Sequence, residues 1–124
     1  LFRREGANLY CRVPIPMSEA ALGSEIEVPT IDGGRARVKI PPGTQTGQQF
    51  RLKSKGMTML SSSARGDLYI EIFAETPVNL TSKQKDLIKQ LNKSFSNGKS
   101  GNKHSPEASG FFSKVRELWD DLKE

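Results

Sequence analysis

The sequence predicts a mainly β chain with one short helical turn and two C-terminal α-helices. Two observations carry that prediction. Runs of alternating apolar and polar residues within 9–15, 25–40, 50–53 and 68–75 have the period of two of half-buried strands, and Gly, Pro and Asp turns bound them. Beyond residue 80 the apolar spacing changes to that of helices, first over 81–95 and again over 109–124.

The first strand is Leu9 to Ile15, with Leu9, Cys11, Val13 and Ile15 on one face. Pro16 to Gly23 follows as a single helical turn that Ser18 is positioned to cap and Gly23 to end. Glu25–Val28 and Arg35–Ile40 flank Asp32-Gly33-Gly34, a hairpin signal. With Ile26, Val28, Ala36, Val38 and Ile40 inward, Glu25 and Glu27 face Arg35, Arg37 and Lys39 on the outer surface and are expected to pair with them. Pro41-Pro42-Gly43 then reverses the chain, because two fixed φ angles precede a residue free to take positive φ.

Phe50 and Leu52 alternate with Arg51 and Lys53 in the next strand. Residues 55–65 read as a loop whose Met57, Met59 and Leu60 are candidate contacts for binding another protein, although packing within the loop or core explains them more simply. In Leu68–Glu75 both faces carry large side chains, with Tyr69 and Phe73 opposite Leu68, Ile70 and Ile72, which predicts a central strand. Thr81-Ser82-Lys83-Gln84 has the form of a capping box and opens the first long helix, whose stripe is Leu87, Ile88, Leu91 and Phe95. Residues 96–108 have the composition of a flexible linker. The last helix repeats Phe111, Val115, Leu118 and Leu122 on one stripe, widened by Phe112 and Trp119. A helix this short must bury that stripe, either on its own domain or on another copy.

Composition limits the functional classes. The 124 residues make one domain plus an appended element, and no apolar run approaches the roughly 20 residues of a membrane-spanning helix. No signal-peptide pattern opens the chain, and Leu1-Phe2-Arg3-Arg4 without an initiator methionine is the start expected of a piece of a longer protein. A single cysteine, Cys11, excludes an internal disulfide or a cysteine-built zinc site, and its strand position reads as core filler rather than a reactive thiol. The net charge of +5 is concentrated: residues 81–106 hold six lysines and one aspartate, leaving 13 basic and 13 acidic residues elsewhere. The lysines of 83–103 give the alternative reading, a small basic nucleic-acid-binding module, but a solvated helix face explains them without a docking surface. His104 and Cys11 form no nucleophile and base pair, so no catalytic residue is assigned.

Four blocks resemble the second C-terminal domain of DnaJ-type heat-shock co-chaperones of bacterial type. They are Asn8-Leu9-Tyr10-Cys11 to Ile15; Glu19-Ala20-Ala21-Leu22-Gly23 with Ile26 to Thr30; Ile40-Pro41-Pro42-Gly43-Thr44-Gln45 to Gly56; and Gly66-Asp67-Leu68-Tyr69. His104-Ser105-Pro106 with Phe111-Phe112 resembles the family's ending, and Ser54 stands where the family usually has glycine. The resemblance implies a small β-sandwich over 1–95 that includes the capping helix 81–95, the linker 96–108 and a dimerisation helix over 109–124. It further implies a cytoplasmic homodimer that holds unfolded clients and delivers them to an ATP-driven heat-shock chaperone, with zinc in an upstream region. The expected dimer contacts are Phe111, Phe112, Val115, Leu118, Trp119 and Leu122. No cofactor is expected in this chain, nor a nucleic-acid or membrane partner.

Overall fold

The computed structural model describes residues 1–59, 64–96 and 104–123. The chain divides into two compact units, Leu1–Val78 and Asn79–Glu124.

The first unit contains β1 (Phe2–Glu5), β2 (Asn8–Pro16), α1 (Met17–Leu22), β3 (Ser24–Pro29), β4 (Arg35–Ile40), β5 (Gln49–Leu52) and β6 (Leu68–Glu75). Four strands form one sheet in the order β1-β2-β6-β5, and β3 pairs with β4 in a second, two-stranded sheet. β6 is therefore an inner strand, as its two-faced pattern predicts. It runs parallel to β2, from Leu9 opposite Leu68 to Pro16 opposite Glu75, and antiparallel to β5.

The inward faces of the two sheets meet in one apolar cluster. Ile40, Leu68, Ile70 and Ile72 are its most deeply buried side chains, joined by Leu9, Cys11, Ile15, Val28 and Val38. Cys11 fills space there as expected, and burial pushes its thiol pKa up. The other face of β2 and β6 is half covered: Tyr10 stacks on Tyr69 at 5.0 Å, Arg3 lies 4.9 Å over Tyr10, and Arg12 lies 4.2 Å over Phe73. Such cation–π contacts at exposed sites contribute about 0.5–1 kcal/mol each.

On the hairpin, Arg35 meets Glu27 at 3.5 Å, and Arg37 reaches Glu25 at 3.4 Å and Glu27 at 3.6 Å, so the expected charge pairing forms at both arginines but not at Lys39. At its tip Asp32 accepts from the Thr30 hydroxyl and from the Gly34 N–H (3.2 Å). Both bonds favour the ionised carboxylate and hold its pKa below the usual range, the Thr30 bond most. Asp32 also pairs with Arg65 at 3.4 Å, fastening the hairpin tip to the 57–65 loop.

The Pro-Pro-Gly turn joins α1 to the sheet. The Gly43 and Thr44 N–H groups donate to the Ala20 carbonyl (2.9 and 3.1 Å), and the Thr44 hydroxyl donates to the Pro41 carbonyl (2.6 Å). A Cβ on Gly23, at φ 88°, would lie 3.0 Å from the Pro42 ring, so glycine both ends α1 and admits the proline. The expected Ser18 cap is not made: β2 runs directly into the helix through Pro16, which takes the N-cap position without a side-chain hydrogen bond.

A second close approach locks the other end of the sheet. The Gly56 N–H donates to Gly66 O (2.8 Å), Gly66 N–H to Met57 O (2.9 Å) and Met57 N–H to Ala7 O (2.8 Å). A Cβ on Gly66 would stand 2.1 Å from the Ala7 carbonyl oxygen and one on Gly56 at 2.5 Å, so neither position accommodates a side chain. Ser54 adopts φ 63°, in the left-handed region that glycine enters freely, and its N–H donates to Asp67 Oδ1 (2.9 Å).

The second unit contains α2 (Ser82–Ser96) and α3 (Pro106–Leu122). The capping box forms reciprocally, with Thr81 N–H donating to Gln84 Oε1 (2.8 Å) and Gln84 N–H to Thr81 Oγ1 (3.2 Å). Most of the predicted linker, residues 97–103, lies outside the described residues. On its two sides Phe95 and His104 approach with ring centroids 5.0 Å apart.

Candidate functional site

α3 presents the least satisfied apolar surface of the second unit. Pro106 opens it with a fixed φ and no N–H to leave unpaired, and Glu107 stands favourably in its first turn. Counting in heptads places Val115 and Leu122 at a, Phe111 and Leu118 at d, and Phe112 and Trp119 at e, so six side chains share one broad face. Five are solvent-exposed, Trp119 by 63% and Leu122 by 74%, and Val115 is half-buried. Phe111 and Phe112 meet edge to face at 5.2 Å, and Phe111, Phe112, Val115, Arg116 and Trp119 line an open concavity.

Exposure of this kind is costly. Burying a large apolar side chain is worth about 1.5–3 kcal/mol, so a six-residue face has a large incentive to find cover. The arrangement offers adhesion and no bond-making chemistry.

α2 carries a parallel feature. Leu87 and Leu91 are exposed by 53% and 48%, Phe95 lies at the edge of exposure and Ile88 is half-buried, while no residue of α2 is fully buried.

The methionine candidates separate. Met57 packs against the core of the first unit, and its N–H is held by Ala7. Met59 is 46% exposed next to the Thr58–Arg65 bridge, and Leu60 lies outside the described residues. The sequence reading missed the Gly56, Gly66 and Ala7 node that sets the base of this loop. A glycine at each end of the loop was the available signal.

No zinc site fits these residues. The one cysteine is buried in the core, and among the described residues no group of three His, Cys, Asp or Glu side chains converges. Among the same residues no helix is long and apolar enough to cross a membrane.

A two-sheet domain stitched by I-P-P-G-T and G-D-L and followed by amphipathic helices is matched by known families. Residues 1–77 match the DnaJ C terminal domain, and the chain belongs to that family. Residues 83–121, spanning most of both helices, match the chaperone protein DnaJ C-terminal region. The chain is 61% identical over 124 residues to the chaperone protein DnaJ of Paramagnetospirillum magneticum, covering all of this chain and 32% of that protein. It is 61% identical over 123 residues to that of Rhodospirillum centenum and 57% over 122 residues to that of Acidiphilium cryptum, covering 99% and 98% of this chain and 31% of each relative. The chain thus spans about a third of the length of the curated relatives it matches. The family is non-enzymatic, in keeping with a sequence that offers no catalytic pair.

Proposed function

We propose that this chain is the dimerising C-terminal module of a DnaJ-type co-chaperone, with α3 as the contact between protomers. The observation that carries this reading is the continuous a, d and e face of α3, six apolar side chains of which five are exposed. Phe111, Phe112 and Trp119 supply rigid aromatic area of the kind that anchors protein interfaces. Joining two copies would raise the effective concentration of paired client sites without any new contact. The intact co-chaperone holds unfolded clients in the cytoplasm and hands them to an ATP-driven heat-shock chaperone, and zinc belongs to a region outside this chain. Direct client contact by this module falls to the Met59 loop.

Family membership disfavours the nucleic-acid alternative, and paired hairpin charges leave its lysines confined to the second unit. Light scattering on the chain and on a variant lacking residues 109–124 tests the main reading. The expected result is a dimer that becomes a monomer; equal masses per chain overturn it. Titration with an unfolded client tests the loop: amide shifts around Met57 and Met59 are expected, and shifts confined to residues 104–123 count against it.

A further inference from the structure

We propose that the Asp32–Arg65 pair positions the Met59 loop for client contact and brings Ile31, on the hairpin tip, into the same surface as a second apolar contact. The proposal rests on the reading of the Met59 loop given above and adds to it a positioning pair and a residue that touches the client.

The loop is anchored twice. At its base, the hydrogen bonds among Gly56, Gly66, Met57 and Ala7 hold it to the four-stranded sheet. Further out, Thr58 bridges to Arg65 and the Met59 N–H donates to the Ala64 carbonyl (3.0 Å), so Met59 is carried on paired backbone. Arg65 then reaches the other sheet: its Nε donates to the Gly56 carbonyl (3.1 Å) and its Nη1 to Asp32 Oδ2 (3.4 Å). Asp32 is equally well set, because its other oxygen accepts from the Thr30 hydroxyl and the Gly34 N–H within the hairpin turn. One pair of side chains thus joins a turn of the second sheet to a loop of the first.

The pair also gathers apolar surface. Ile31, next to Asp32, is 43% exposed, and Met59, next to the bridge partner of Arg65, is 46% exposed. Single exposed apolar side chains are ordinary. Here two, from different sheets, each stand one residue from positions that a partly exposed ion pair and a β-bridge hold together. The occupant that suits them is an extended apolar segment of an unfolded chain, since methionine adapts to varied side chains. An ion pair this exposed adds little to the fold. Its use is local: a loop already held in place has less freedom to lose when a client binds.

Two measurements on the whole chain test this. The first is amide exchange. Asp32→Asn keeps an oxygen for Thr30 and Gly34 but removes the charge that Arg65 meets, so the Met59 N–H is expected to exchange about two- to fivefold faster. The Ile72 N–H, bonded to the Gln48 carbonyl in the sheet, should keep its rate. Raising salt should quicken Met59 exchange in the unaltered chain and not in Asp32→Asn. An unchanged Met59 rate in the variant overturns the positioning role.

The second is titration with a synthetic peptide alternating leucine and serine between terminal lysines, read from amide shifts in the first unit, with an all-serine peptide as control. Binding of the leucine peptide alone is expected. Met59→Ser and Ile31→Ser, both at exposed positions, should each weaken it by about threefold or more, and Asp32→Asn by about two- to fivefold. If Met59→Ser weakens binding and Ile31→Ser does not, the second contact is overturned while the loop reading stands. If Met59→Ser leaves binding unchanged, or the first unit shows no shifts, the loop reading fails and the proposal with it.

Discussion

The two units solve the problem of apolar surface in opposite ways. In Leu1–Val78 the strands turn Leu68, Ile70 and Ile72 fully inward and close over them with the β3–β4 hairpin. In Asn79–Glu124 neither α2 nor α3 has a single buried residue among those described, although both carry a full apolar stripe. The first unit has what a fold needs within itself. The second is built of helices whose stability depends on what they cover, since short isolated helices are marginal in water. Self-sufficiency in one region and dependence in the other divide the chain into a packed scaffold and two helices with uncovered apolar stripes.

Substitutions can break or sharpen that contrast. The largest effect is expected from Gly66→Ala, because the added methyl would collide with the Ala7 backbone, which has no room to retreat. It should cost roughly 3 kcal/mol or more in denaturant unfolding of the sandwich. If the units are independent, the helical signal should be affected far less. Ile70→Ala, at a fully buried site, should follow with about 2–5 kcal/mol in the same measurement.

Thr81→Ala acts on the other side of the division. Loss of the capping box should destabilise α2 by about 1 kcal/mol, read as faster amide exchange in its first turn. The sandwich midpoint should not move. Ser54→Gly should have the opposite sign: relief of the left-handed backbone, less the entropy of glycine, predicts a gain of about 0.5 kcal/mol in thermal unfolding.

The smallest effect is expected from Asp32. Its carboxyl is held below the usual value by the Thr30 hydroxyl and then the Gly34 N–H. A depressed folded pKa stabilises above the unfolded value of about 3.9 and loses that contribution as pH falls through the folded value. Asp32→Asn should therefore lower stability slightly and by a constant amount from about pH 4 to neutrality, and flatten the acid limb below about pH 4, where the two profiles converge.

Much of the first unit was legible because its strands obey local rules. Alternation placed β2, β4 and β6 within a residue or two, Asp32-Gly33-Gly34 marked the hairpin, and Tyr69 with Phe73 placed β6 inside the sheet. β1 was not recognised, since Phe2-Arg3-Arg4-Glu5 offers one apolar residue in four and pairs only along the edge. The parallel pairing of β2 with β6 was equally hidden, because nothing local links strands so far apart. Ser18 misled for a different reason: cap preference assumes that a loop precedes the helix, and here a paired strand does. The broad face of α3 could be read directly from its spacing. The matching stripe on α2 could too, but its exposure had to be seen in three dimensions, because periodicity alone does not say whether a helix face is covered.

The β2–β6 pairing has a consequence for how the protein is made. Asn8 must wait for Asp67, 59 residues later, before the bond between them can form. At ~5–20 residues per second on the ribosome, that wait is roughly 3–12 s. Through it β2 has only the four-residue β1 beside it, while the β3–β4 hairpin has both its strands early. A C-terminal module of a chaperone family is itself, during its own synthesis, a chain with a half-paired hydrophobic strand.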